Sequence, residues 1–182
     1  ALKLRMRAAL DKMGSPVADS YTPKRTDFPN ASPAVLVWMA EKFMVFSPKD
    51  AIAAMERLIN VFGETGGEFL FDAHYLIGQA EEKEKSFEKA AYHYTQALIN
   101  SSWHENANDA RIRRGNSLYA IKSFDEAYAA FEAVRGDSET KLELRAECSF
   151  KMGECKRSLK DSTGAAFLYL ETTLSFPSAV EW

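Results

Sequence analysis

The chain has 182 residues, of which 46% are hydrophobic and 27% are charged, and its net charge is -3. This composition is typical of a globular protein with a sizeable core and argues against extended disorder. The slight negative charge provides no broad basic field, so binding to nucleic acid or to an anionic membrane through surface potential is not expected. The longest apolar run, AVLVWMA at 34–40, is far shorter than the ~20 residues that a membrane-spanning helix needs.

Two segments precede the main pattern. Residues 1–13 carry apolar side chains at helical spacing and Gly14 follows them, which predicts an N-terminal helix belonging to a preceding unit. Residues 14–33 contain four prolines among serine, threonine and asparagine, a composition that favours irregular chain. We interpret 14–33 as a Pro-rich linker, and a loop packed over the following helices is the alternative.

From residue 34 onward, apolar residues recur at helical spacing in segments separated by short turn signals. No segment alternates at a period of two for long enough to predict a strand, so the expected class is all-α. The glycine-rich GETGG at 63–67 lacks the lysine and the preceding strand that a phosphate-binding loop requires, and it is expected to connect two helices. The predicted helices are 34–46, 51–62, 68–85, 86–100, 108–121, 124–134, 139–160 and 162–175.

Small and aromatic residues recur in a fixed order through the second half of the chain. Three glycines each stand 12 residues before an alanine, and an aromatic residue follows that alanine after four more residues. The glycines are 37 and 38 residues apart. Such self-similarity is the mark of an internal repeat. The three sets are Gly78, Ala90 and Tyr94; Gly115, Ala127 and Phe131; Gly153, Ala165 and Tyr169.

In this order of residues the sequence resembles the tetratricopeptide repeat, a helix-turn-helix unit of about 34 residues. The resemblance implies a right-handed α-solenoid of stacked hairpins over 34–182, with one degenerate and three clear repeats, and with the final FPSAVEW starting another repeat. The glycine and the alanine would let the two helices cross closely, and the aromatic ring would fill the space between hairpins.

The spacing of 37 and 38 residues is longer than the usual unit. Because the glycine-to-alanine distance within each hairpin is constant, we expect the added residues between hairpins. Units of this length are similar to those of bacterial cell-envelope repeat proteins, including outer-membrane assembly and Tol-Pal-associated factors.

The resemblance also implies a concave groove lined by the first helix of each hairpin, in which a peptide or partner domain binds. Its rings would form an aromatic and apolar stripe, and the alternative for each ring is packing against a neighbouring helix. Only Lys83 and Arg157 bring positive charge to the groove, so capture of a C-terminal carboxylate is disfavoured and a mixed or basic-aromatic peptide fits better. The candidate peptide-binding residues are Tyr75, Gln79, Ile112, Asn116, Tyr119, Phe150, Glu154 and Arg157.

No motif predicts catalysis, a metal site or a cofactor. The three histidines, His74, His93 and His104, stand alone, and none has the second histidine of a zinc-binding HExxH helix. Cys148 and Cys155 are expected to be buried as small hydrophobic residues. Seven residues apart on one helix, they are separated by about 10.5 Å, which is too far for a disulfide.

These observations favour a non-catalytic protein-protein interaction scaffold with a protein or peptide ligand. One alternative is a structural self-assembly segment of a larger repeat protein, which would associate through the ends of the array. Another is a regulatory domain of a larger enzyme. The sequence leaves the compartment open between the periplasm or cell envelope and the cytoplasm.

Overall fold

The computed structural model describes residues 22–63, 65 and 67–176. All regular secondary structure in these ranges is helical, which confirms the all-α class. The predicted helix at 1–13 and all but the first residue of the final FPSAVEW lie outside the described residues. The helices are two 3-10 helices, Arg25–Asn30 and Gly67–Phe69, and eight α-helices: α1 (Pro33–Phe46), α2 (Pro48–Phe62), α3 (Leu70–Lys83), α4 (Phe87–Asn100), α5 (Ala107–Ala120), α6 (Phe124–Arg135), α7 (Leu142–Ser158) and α8 (Ser162–Ser175).

The chain forms two units, Ala1–Glu84 and Lys85–Trp182. The boundary falls within residues 34–182, which the repeat pattern grouped as one domain, and it separates the two helices of the first clear repeat. We refer to the two parts as unit 1 and unit 2.

Unit 1 packs α1, α2 and α3 around a core of fully buried apolar side chains. The 3-10 helix Arg25–Asn30 closes one side of this core, because the ring of Phe28 lies 6.0 Å from that of Phe43 in an edge-to-face arrangement. Arg25 also forms an ion pair with Asp50 of α2. This part of the predicted linker 14–33 therefore packs on the following helices, as the alternative interpretation expected. The centre of the core consists of Leu36, Met39, Ala40, Phe43, Ala54, Met55, Leu58, Ala73 and Ile77.

Unit 2 consists of α4 to α8, and each helix packs against the next one in the chain. Its core receives residues from all five helices rather than being enclosed within one hairpin. The buried residues of this core include Ile112, Leu118, Ala127, Phe131, Val134, Cys148, Met152, Cys155 and Leu168.

The same tight turn recurs where the two helices of a hairpin join. Lys122 and Lys160 adopt positive φ angles of 65° and 64°, and Lys85 has the same conformation at 61°. In the α5–α6 turn, the backbone N–H of Ser123 donates to the carbonyl of Leu118 at 2.9 Å, the bond of a Schellman motif. The α7–α8 turn has the same bond, from the backbone N–H of Asp161 to the carbonyl of Lys156, and this shared geometry explains why the spacing is equal in the α5–α6 and α7–α8 hairpins.

The connections between hairpins are longer than these turns. Residues 101–106 join α4 to α5, and residues 136–141 join α6 to α7. The extra length of the repeat therefore lies between hairpins, which confirms the prediction from the spacing.

Helix α7 begins at Leu142, three residues later than predicted. The reason is the side chain of Asp137, which accepts a hydrogen bond from the backbone N–H of Glu139 at 3.0 Å and one from the hydroxyl of Thr140 at 2.9 Å. Asn108 of α5 donates to the same carboxylate at 2.7 Å. This network holds the chain in a turn where the apolar pattern alone favoured helix.

Two of the three recurring glycines lie against aromatic rings. A Cβ atom at Gly115 would lie 2.6 Å from the Cε1 atom of Phe131, and one at Gly153 would lie against the ring of Tyr169. The sequence-based argument named the alanine of the second helix as the facing residue and did not predict that the nearest atoms belong to these rings. Phe131 also belongs to the core shared with α7, so it fills the space between hairpins as expected.

Candidate functional site

Helices α5 and α7 carry six of the eight candidate binding residues, and a hydrogen bond links these two helices. The hydroxyl groups of Tyr119 on α5 and Ser158 on α7 lie 2.9 Å apart. Asn116 lies three residues before Tyr119 and is therefore on the same side of α5. We call this surface the α5–α7 face, and it consists of Asn116, Tyr119 and Ser158.

The ring of Tyr119 is held from two directions. Its edge meets the ring of Phe124 at 5.2 Å between centroids and 62° between planes, and its hydroxyl is fixed by Ser158. The side chain is half-buried, while Asn116 beside it is exposed. The α5–α7 face thus combines an aromatic surface in a fixed orientation with an amide that can donate and accept hydrogen bonds.

Ile112 lies in the core instead of on this face. Its side chain is 7% exposed and packs in the cluster that includes Cys148 and Met152 of α7. The continuous aromatic and apolar stripe predicted from the resemblance is therefore interrupted in unit 2. The sequence could not show this, because the core around Ile112 is built from several helices of unit 2.

Two ion pairs lie on the same two helices. Asp109 and Arg113 are paired at 2.6 Å on α5, and Glu147 and Lys151 are paired at 3.5 Å on α7. All four side chains are partly exposed, so each pair contributes little to stability. Each pair joins one positive and one negative side chain, so the two pairs add no net charge to these helices.

The other candidate residues of α7 contact α8. Arg157 donates to both carboxylate oxygens of Glu154, at 2.5 and 3.2 Å, and the hydroxyl of Tyr169 donates to the same carboxylate. These two donors lower the pKa of Glu154. The ring of Phe150 lies 5.5 Å from that of Tyr169. We call this second surface the α7–α8 face, and it consists of Phe150, Glu154, Arg157 and Tyr169.

The polar role of Tyr169 was missed in the sequence. The repeat pattern identified it only as a packing aromatic, equivalent to Phe131. The sequence did contain a signal for this role. Tyr169 stands at the repeat position that Phe131 occupies in the preceding hairpin, and the hydroxyl of a buried tyrosine usually has a hydrogen-bond partner.

The two remaining candidates belong to unit 1. Tyr75 is half-buried and its ring stacks on that of Phe71, with centroids 5.7 Å apart. Gln79 is half-buried one turn further along α3. Lys83 donates to the carbonyl of Met44 at 2.5 Å, so the first of the two groove cations is engaged within unit 1.

The cysteines have the properties of buried apolar residues, as predicted. Both are inaccessible and free of disulfides. Burial is the main cause that raises the pKa of Cys148 to about 12 and that of Cys155 to about 11, which suppresses the reactive thiolate at neutral pH.

Two further findings concern only the part of the chain that the structure describes. Within 22–63, 65 and 67–176, no group of three or more His, Cys, Asp or Glu side chains is placed to hold a metal ion. No helix in these ranges is long and apolar enough to cross a membrane. The chain matches no protein-family model and no curated protein.

Proposed function

We propose that this protein is a non-catalytic interaction scaffold of tetratricopeptide-like hairpins, which binds a peptide or a partner domain on the α5–α7 face. The observation that carries the proposal is the fixed ring of Tyr119 beside the exposed amide of Asn116. An aromatic side chain that is already ordered offers contact area without a further loss of conformational entropy on binding.

The chemistry of the face suggests the kind of ligand. The amide of Asn116 can bond a peptide backbone group, and the ring of Tyr119 can contact an apolar or aromatic side chain. The balanced ion pairs on α5 and α7 favour a peptide that carries both charges.

Support for the scaffold comes from the regularity of the helices. The recurring turns with Lys85, Lys122 and Lys160 at positive φ and the longer connections between hairpins agree with an array of similar units. In such an array binding residues lie on rigid helices, which keeps their relative positions fixed.

A displayed library of random peptides tests the proposal without a known partner. We expect the full chain to select peptides that share a motif. Asn116→Ala and Tyr119→Ala should each weaken binding of the selected peptides by roughly tenfold or more. Glu132→Ala, which changes an exposed residue on the opposite helix of the hairpin, serves as the matched control and should leave binding unchanged.

Thermal unfolding of each variant separates binding from folding. Asn116→Ala alters an exposed side chain and should leave the melting temperature nearly unchanged, because exposed substitutions are usually worth within about 0.5 kcal/mol. Tyr119→Phe removes only the hydroxyl and should retain most of the binding. The proposal fails if selected peptides bind Asn116→Ala and Tyr119→Ala as tightly as the wild type, or if no motif is selected.

A further inference from the structure

The segment that precedes α1 lies against the helices of unit 1 in the way that a bound peptide would. We call the 3-10 helix Arg25–Asn30 the strap. The backbone N–H of Asp27 donates to the carbonyl of Lys24 at 3.0 Å. The backbone N–H of Ala31 donates to the carbonyl of Phe28 at 3.2 Å. The turns of the strap are therefore closed by its own backbone rather than by the helices beneath it.

One aromatic ring anchors the strap. Phe28 is the buried residue of this segment and is 7% exposed. Its ring meets that of Phe43 edge to face and joins the apolar core of unit 1. Three other residues of the strap, Arg25, Pro29 and Asn30, are exposed. An aromatic anchor flanked by exposed residues is an arrangement by which grooves recognise short peptides.

Helix α2 contacts the strap through two groups of opposite charge. Asp50 in its first turn pairs with Arg25, and Ser47 donates a hydrogen bond of 2.6 Å to the same carboxylate. Further along α2, the Nη2 atom of Arg57 donates to the carbonyl of Pro29 at 3.4 Å. Seven residues are close to two helical turns, so these two groups of α2 lie on one side of the helix, about 10.5 Å apart.

The contact at Arg57 is incomplete. Its 3.4 Å distance to the carbonyl of Pro29 exceeds the usual range of about 2.7–3.2 Å for an N–H···O bond. The Nε atom of Arg57 is buried and donates to no acceptor among the residues that the structure describes. Leaving a buried donor unpaired is unfavourable, whereas a carboxylate bonds two N–H groups of a guanidinium at once. The strap therefore satisfies Asp50 but not Arg57.

We propose that the site under the strap binds a peptide segment of another protein, and that this segment displaces the strap. The contacts of the strap define the chemistry of the ligand. It carries a basic residue for Asp50 and, three positions later, an aromatic residue for the space that Phe28 fills. An acidic residue soon after the aromatic one completes the contact with Arg57.

The strap then acts as an internal competitor for this ligand. Only the fraction of chains in which the strap has left the site can bind, so the strap lowers the apparent affinity by that fraction. A peptide that also bonds Arg57 has an interaction that the strap lacks, and this difference favours the exchange. Peptides without the acidic residue gain nothing over the strap and are excluded.

A labelled synthetic peptide with the sequence of residues 22–31, TPKRTDFPNA, is the probe, and fluorescence anisotropy with the full chain measures its binding. We expect it to bind Phe28→Ala at least tenfold more tightly than the wild type, because the internal competitor has lost its anchor. Arg25→Ala loosens the strap without altering the core and should act in the same direction. The same peptide with alanine in place of phenylalanine is the control and should not bind.

A second comparison tests the role of Arg57. A peptide with Asn30→Glu places a carboxylate directly after the residue whose carbonyl Arg57 contacts. It should bind Phe28→Ala roughly tenfold more tightly than the unmodified peptide. Adding Arg57→Met to this variant should abolish that gain. Glu56→Gln, which changes an exposed neighbour on α2, is the matched control and should preserve the gain.

The opposing interpretation is that the strap only closes the core of unit 1. Peptide binding to Phe28→Ala and Arg25→Ala that is no tighter than binding to the wild type would establish it and overturn the proposal. A gain from Asn30→Glu that is absent, or that persists with Arg57→Met, would overturn the role of Arg57. Asn116→Ala should leave binding of these peptides unchanged, so the result is independent of the α5–α7 face.

Discussion

Replacement of Gly115 by alanine tests the contact that defines the repeat. In an ordinary helix interior, glycine to alanine stabilises by about 1 kcal/mol. Here the new methyl group would lie 2.6 and 2.7 Å from two ring atoms of Phe131. Phe131 is 1% exposed and enclosed by the core, so its ring cannot move away. Overpacking of this kind costs about 1–3 kcal/mol. Because alanine regains about 1 kcal/mol of helix propensity, we expect a net loss of stability of up to about 2 kcal/mol.

Gly153 provides the matched comparison. Its methyl group would meet the ring of Tyr169, which is half-buried and so less enclosed than the ring of Phe131. Gly153→Ala should therefore lower the free energy of unfolding clearly less than Gly115→Ala does. At Gly153 the cost of overpacking and the gain in helix propensity should nearly cancel.

Urea unfolding followed by circular dichroism measures the stability of both variants. In thermal unfolding, the melting temperature should shift by about 4–8 °C per kcal/mol for a domain of about 100 residues. In a Phe131→Leu background, Gly115→Ala should become neutral or stabilising, because the ring that it meets is absent. A Gly115→Ala variant that is more stable than the wild-type chain by the amount expected of an isolated helix would show that the ring of Phe131 does not limit this position.

Three further predictions concern the turns, the connection before α7 and the thiols. Lys122→Gly should stabilise the protein by about 0.5–1 kcal/mol in urea unfolding, because glycine removes the strain of a positive φ of 65°; a loss of stability would contradict the turn assignment. Hydrogen bonds from Asn108 and Thr140 lower the pKa of Asp137 below its ordinary value of 3.8. This carboxylate therefore stabilises the fold at pH values above 3.8, and its contribution is lost as the pH falls through the pKa of the folded state. Thermal melts in acid should therefore show a weaker pH dependence for Asp137→Asn than for the wild type, and equal slopes would count against the network. Cys148 and Cys155 should react with a thiol reagent at neutral pH only after unfolding, since burial raises both pKa values; rapid reaction of the native chain would show that they are accessible.

Local sequence patterns predicted the helices well. The bounds of α1, α4, α6 and α8 agree with the predicted ranges to within one residue, because apolar spacing and turn residues act over a few positions. The start of α7 was predicted too early, since the competing turn depends on Asn108, which is distant in sequence from Asp137. The 3-10 helix Arg25–Asn30 was also missed, because proline content alone does not show that Phe28 reaches a core.

The candidate site was predicted less completely than the helices. The repeat register placed Asn116 and Tyr119 together on α5, and they lie together on the α5–α7 face. The same register counted Ile112 as a groove residue, although it lies in the core formed with other helices of unit 2. The register also could not show that Glu154 accepts a hydrogen bond from the hydroxyl of Tyr169 on α8. In both cases the deciding contact is made by another helix, and a register within one helix carries no information about that contact.

Chemical-shift mapping by nuclear magnetic resonance, with a peptide selected from the displayed library, locates the binding surface directly. We expect the largest shifts in α5 and α7, and the side-chain amide of Asn116 should shift with them as the peptide is added. Shifts confined to the exposed sides of α6 and α8, with the Asn116 amide unchanged at saturation, would show that the α5–α7 face is not the binding surface.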